Sequence, residues 1–113
     1  MSTTTPTDDA ALVVLCTAPD ADVAARLARG LVDARLAACV NVIPGLRSFY
    51  RWQGEVQDDG EVQLFIKTRR GRLPELMAWL GEHHPYDVPE VLVLPVTAGH
   101  VPYLEWVERE VEG

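Results

Sequence analysis

CVNVIPGLRSFYRWQGEVQDDGEVQLFIKTR, residues 39–69, is the stretch on which the fold turns. Residues 39–43, CVNVI, have the β-branched character of a strand, and PG at 44–45 marks a bend before LRSFYRWQGEVQ resumes extended, aromatic-rich sequence. DDG at 58–60 reads as the reversing turn. Beyond it Val62, Leu64 and Ile66 alternate with Gln63, Phe65 and Lys67, the period of two that sends successive side chains to opposite faces of a sheet. A long hairpin is expected. A small monomer cannot easily bury Phe49, Tyr50, Trp52 and Phe65 on one ribbon, so part of it is expected to meet another subunit.

On the N-terminal side, ALVVLCT at 11–17 is a continuous apolar run ended by APD, which predicts a strand buried on both faces. DADVAARLARGLVDARLAA then places Val23, Leu27 and Leu31 four residues apart on one helical stripe, with Asp20 or Asp22 as the cap. Gly30 weakens that helix by about 1 kcal/mol relative to alanine, which is tolerable where a neighbouring element packs closely.

On the C-terminal side, Leu73, Leu76, Met77 and Leu80 predict a helix over 72–84, with Pro74 in its first turn and Pro85 ending it. EVLVLPV at 90–96 is a further apolar strand. Gly99 and Pro102 introduce a last helix with Leu104, Val107 and Val111 inward and Glu105, Glu108 and Glu112 outward. The order is strand, helix, strand, strand, helix, strand, then an extra helix, which is the α+β, ferredoxin-like split β-α-β sandwich: four antiparallel strands with two helices over one face. LVVLC and VLVLPV predict apolar surface on the other face too, to be covered by the last helix or a second subunit, and a closed oligomer is the expected solution. Residues 11–113 form one expected domain behind a loose tail at 1–10.

Seventeen acidic against ten basic residues give a formal charge of −7, so nucleic acid and acidic membrane surfaces are not expected partners. No apolar run reaches the roughly 18 residues of a bilayer crossing, and the polar opening MSTTTPTDD has no signal-peptide pattern. A cytoplasmic location is therefore expected, with Cys16 and Cys39 as free thiols.

GxGxxG, GxxxxGK[ST], CxxC and HExxH motifs are all missing. What remains is Cys16 at the end of one strand, Cys39 at the start of another, and His83–His84 where Pro85 stops a helix, a donor set that suits copper or zinc. Neighbouring helical residues point about 100° apart, so the pair could chelate one ion only if Pro85 draws His84 out of the helix. Equally, both histidines could complete the core edge and both cysteines could be buried small hydrophobes. Ser48, His84 and Asp87 could be written as a triad, but no nucleophile elbow surrounds Ser48. Lys67, Arg69, Arg70 and Arg72 form a basic cluster that reads as solvated surface or a seat for an anion.

The segments VVLCTAPD, LAACVNVIPGLRSFYRWQGEVQ, EVQLFIKT, HHPYDVPEVLVLPV and GHVPYLEW together resemble the CutA family of divalent-cation tolerance proteins over about residues 12–108. The resemblance implies a PII-like homotrimer whose long hairpins pair across subunits, a cytoplasmic location, and a role in the response to copper and other divalent ions. It implies copper ligands at Cys16, His83 and His84, with Cys39 a second thiol that could serve. It brings no catalytic reaction. By similarity to PII proteins it also implies an alternative: a sensor of a small anionic metabolite, acting through a protein partner, with an inter-subunit pocket lined by Cys39, Tyr50, Trp52, Lys67, His84 and Tyr86.

Overall fold

In the computed structural model, which describes residues 10–111, the chain runs β1 (Ala11–Ala18), α1 (Ala21–Asp33), β2 (Cys39–Trp52), β3 (Glu55–Arg69), a single 3-10 turn (Arg70–Arg72), α2 (Leu73–His83), β4 (Val91–Pro95) and α3 (Val101–Glu110). The expected tail, apart from Ala10, and Glu112 fall outside the described residues. The strands form one antiparallel sheet in the order β2-β3-β1-β4, so the split β-α-β pattern is present with the extra helix at its end.

One face of the sheet carries the main core. Leu12, Val14, Cys16 and Ala18 of β1 are buried, and the register Val14↔Ile66 and Cys16↔Leu64 sets the buried residues of β3 beside them. Over this surface lie Ala24, Leu27 and Leu31 of α1 and Leu76 and Leu80 of α2. Asp20 settles the helix start, since its Oδ1 accepts the Val23 N–H at 2.9 Å. Gly30 has the close neighbour its presence suggested: a Cβ there would lie 2.5 Å from Cζ2 of Trp79. Because α1 meets α2 on its Trp79 side, the buried stripe of α2 rotates away from Met77, which is 42 % exposed rather than inward as the spacing predicts.

The reverse face is covered only at one end. There Val107 and Val111 of α3 pack with Ala38 and the partly buried Trp106. Elsewhere the two-sided burial predicted for β1 and β4 is not achieved within one chain: on β4 Leu92 and Leu94 are 55 % and 45 % exposed, and Leu92 stands in register with Leu15, itself opposite Phe65.

The hairpin is long, as expected, but turns elsewhere. Gln53 and Gly54 both have positive φ, 50° and 81°, the combination of a two-residue turn whose twist matches the flanking strands. Asp58–Asp59–Gly60 lies instead within β3, opposite Phe49, Ser48 and Arg47. Asp58 stays in the strand because its carboxylate takes both Nε and Nη2 of Arg47 at 2.8 Å, a diagonal cross-strand pair. The Pro44–Gly45 bend is real and is a bulge, with Gly45 at φ 85° between the pairs Ile43↔Gln63 and Leu46↔Glu61. Pro44 removes no bond from the sheet interior because β2 is an edge strand. The projecting arm explains a radius of gyration of 15.1 Å and a long axis of 50 Å, where a chain of this length packed as a ball would have a radius of about 13 Å.

Candidate functional site

Pro85 disfavours a helical backbone at the residue before it, and His84 accordingly leaves α2 with φ −75° and ψ 137°. Its side chain is buried, and its Nε2 lies 2.7 Å from the Thr17 carbonyl while the Tyr86 N–H reaches Nδ1 at 3.1 Å. A carbonyl can only accept and a backbone N–H can only donate, so the proton sits on Nε2 and neither ring nitrogen is left over. His84 is therefore a strut between the end of α2 and the end of β1.

His83 is placed differently. As the last residue of α2 it stacks on Trp79, with centroids 4.0 Å apart and planes 14° apart, and its Nδ1 lies 2.8 Å from the Trp79 carbonyl. That carbonyl assigns the proton to Nδ1 and leaves the lone pair on Nε2 of an exposed ring. Tethering one imidazole nitrogen to a carbonyl is how metal-binding histidines are oriented.

Cys16 belongs to the core cluster and has no exposed surface. Burial first, then the negative fields of Glu90 and Glu61, push its thiol up to about 12. The metal set expected from the sequence is thus distributed over three environments: Cys16 inside the core, His84 hydrogen-bonded through both nitrogens, and His83 with a donor to offer. Among the described residues no three His, Cys, Asp or Glu side chains gather as a metal cluster. Within one chain the donor set fits a bound ion only through His83.

The raised thiol has a measurable consequence. A folded-state value above the unfolded one stabilises the protein fully below about pH 9 and progressively less as pH rises towards 12. In urea titrations the unfolding free energy should fall across that window by up to about 1.4 kcal/mol per pH unit. Cys16→Ala should flatten the slope, and an unchanged slope would contradict the assignment. At pH 8 an aromatic disulfide reagent should label the partly exposed Cys39 and reach Cys16 only after unfolding.

Within one chain the six residues expected around an inter-subunit pocket stand at two ends of the sheet. Cys39 and Lys67 stand at the α3 end of the sheet, with Lys67 Nζ 3.9 Å from Cys39 Sγ and hydrogen-bonded to Asn41. Tyr103 stands near them on the wall of a cavity of about 300 Å³, its hydroxyl pushed up by burial and then by Cys39. Tyr50, Trp52 and Tyr86 lie at the other end, in a cleft of about 720 Å³ between the hairpin arm and the segment after α2. His84 stands behind Tyr86, with ring centroids 4.9 Å apart. Ser48 and Asp87 also line this cleft, but His84 has no free nitrogen to act as their base. Arg72 of the basic cluster is engaged with the Arg35 carbonyl and Glu75.

Sequence reasoning missed Thr17, Glu61 and Glu90 as parts of this cleft. Three separate segments bring them together, and no spacing within any one segment announces it. Their effect is nonetheless coherent. Tyr50 is pushed up to about 12 by its hydrogen bond to Asp59, with burial, Glu61 and Tyr86 adding to it. Tyr86 is raised by burial and then by Glu61 and Asp59.

Comparison with known proteins agrees with this architecture. Residues 12–110 match the family model described as CutA1 divalent ion tolerance protein. A "Divalent-cation tolerance protein CutA" from Pectobacterium atrosepticum is 50 % identical over 97 residues, spanning 86 % of this chain and 88 % of that protein. "Protein CutA, chloroplastic" from Arabidopsis thaliana is 46 % identical over 98 residues, 87 % of this chain and 54 % of its relative. The crystal structure of CutA from Xylella fastidiosa superposes with a TM-score of 0.89 at 38 % identity, covering 94 % of this chain and all of that one. No described helix is long and apolar enough to cross a membrane. The matched span takes in every strand, the bulged hairpin arm and the His83–His84 turn, and on that ground the chain belongs to the CutA family of divalent-cation tolerance proteins.

Proposed function

We propose that this protein works in the cytoplasm as a homotrimer in the response to divalent cations, and that copper is an ion it engages, with His83 as the first ligand. The observation that carries the reading is the exposed Nε2 of His83, whose lone pair is kept available because Nδ1 is bound to the Trp79 carbonyl. Imidazole suits copper better than it suits calcium or magnesium. His84 and Cys16 join the ion only if the turn at 84–86 opens, since His84 must first release Thr17 or Tyr86. Trimerisation is supported by the uncovered apolar face around Leu92 and Leu94 and by the projecting arm with an edge strand on it.

The metabolite reading has less to rest on. The residues lining the 720 Å³ cleft include three carboxylates, Glu61, Asp87 and Glu90, and no cationic side chain to receive an anion, while Lys67 stands at the opposite end of the sheet.

Copper titration by calorimetry under reducing conditions tests the proposal. His83→Ala is expected to weaken binding by tenfold or more, with smaller losses for Cys16→Ser. Copper affinity that survives His83→Ala unchanged would exclude His83 as the first ligand.

A further inference from the structure

Gly30 stands inside α1 with no turn to make and no positive φ to supply, so conformational freedom does not explain it. What it supplies is space. A Cβ there would lie 2.5 Å from Cζ2 and 2.8 Å from Cη2 of Trp79, well inside the separation at which carbon atoms rest against one another. Trp79 is partly buried against the main core, and an indole has only two side-chain torsions. Holding its six-membered ring against the bare backbone of α1 therefore fixes the plane of the whole ring system.

That ring system carries His83, four residues further along α2 and so on the same helix face. An imidazole also has two torsions, and Trp79 supplies a contact for each. The stack, at 4.0 Å and 14°, sets the ring plane, and the Trp79 carbonyl, 2.8 Å from Nδ1, sets which nitrogen points away. An exposed histidine at a helix end, left to itself, samples several rotamers and both tautomers. Here that freedom is removed before any ligand arrives, which is the condition for tighter binding. An ion on Nε2 would draw electron density out of the imidazole, and the electron-rich indole face would then attract the ring more strongly.

We propose that Trp79 is the positioning residue for His83, fixing its plane and its Nδ1–H tautomer, and that Gly30 is the gap in α1 that admits the indole. The consequence for metal affinity rests on the reading of His83 as the first copper ligand. The positioning itself is a property of the metal-free chain.

Long-range proton–nitrogen NMR of the full chain without metal reads the tautomer of His83. The wild type should carry the proton on Nδ1, Trp79→Leu should revert towards the tautomer mixture of free histidine, and Trp79→Phe, which keeps a ring face, should retain most of the wild-type signature. Gly30→Ala should shift the signal in the same direction as Trp79→Leu, even though alanine is the better helix former. In calorimetric copper titrations Trp79→Leu should weaken affinity roughly three- to tenfold, and Trp79→Phe less. Added to His83→Ala, Trp79→Leu should cause no further loss, a coupling that damaged core packing would not produce. Circular dichroism verifies that each variant is folded. An Nδ1–H tautomer that persists in Trp79→Leu would overturn the proposal whatever copper does, and so would equal losses from Trp79→Leu with and without His83. Copper affinity unchanged in His83→Ala would instead remove the metal reading, and the tautomer measurement would still decide the positioning.

Discussion

Replacing Leu92 and Leu94 together by glutamate is expected to leave single chains at micromolar concentrations, where the proposed trimer of the wild type should persist. Both side chains are about half exposed in the isolated chain, so the folded monomer loses little when they change. In an assembly that buries the reverse face their exposed half would be covered, and each leucine would contribute roughly half of the 1.5–3 kcal/mol of a full burial, about 1 kcal/mol. Glutamate removes that contribution and adds an unpaired carboxylate, at a cost of several kcal/mol per buried charge. Closed symmetry repeats the penalty at every interface. Sedimentation velocity at two concentrations provides the readout, with far-ultraviolet circular dichroism to verify that the monomer is folded. A double variant that still sediments as the wild type does would place the interface elsewhere, and a wild-type monomer would remove the trimer altogether.

The same two leucines show what could be read from the residues and what could not. The continuous run VLVLP announces that both faces of β4 are apolar, because a strand with one wet face would alternate. What covers the second face is not encoded within the run. Likewise Val62, Leu64 and Ile66 fix the inward face of β3 through simple alternation, yet the hairpin turn was misplaced by several residues. Asp-Gly is the stronger turn former by local chemistry, since Gln-Gly offers only its glycine. The choice between them is made by register: the bulge at Pro44–Gly45 and the Arg47–Asp58 pair lock Asp58 into the strand, and both depend on the partner strand.

The candidate site divides along the same line. Pro85 correctly signals that His84 departs from the helix, a consequence of one residue acting on its neighbour. The partner that captures the departing ring is the main-chain carbonyl of Thr17, and a carbonyl is common to every residue, so no pattern of side chains points to it. Cys16 could be read as ligand or core from its position alone, and only the helices packed above it decide that it is core.

His84→Ala is expected to destabilise the protein by about 2–4 kcal/mol, whereas His83→Ala should lie within about 1 kcal/mol of the wild type. Removing the His84 ring leaves the buried Thr17 carbonyl with only the weak Cys16 Sγ–H donor at 3.7 Å and takes the acceptor from the Tyr86 N–H, and a buried group left without a partner is worth about 1–3 kcal/mol. Tyr86 is 38 % exposed, so water can satisfy part of its loss and the total falls short of the sum. His83 gives up one stacking contact with Trp79 and a hydrogen bond at an exposed helix end, both replaceable by solvent. Urea unfolding at equal chain concentration makes the comparison fair, since assembly contributes to apparent stability by mass action. Copper affinity should rank the two variants in the opposite order. One imidazole has spent both nitrogens on the fold and the other has kept one in reserve, so a His84→Ala variant as stable as His83→Ala would mean that the ring is not the strut its hydrogen bonds describe.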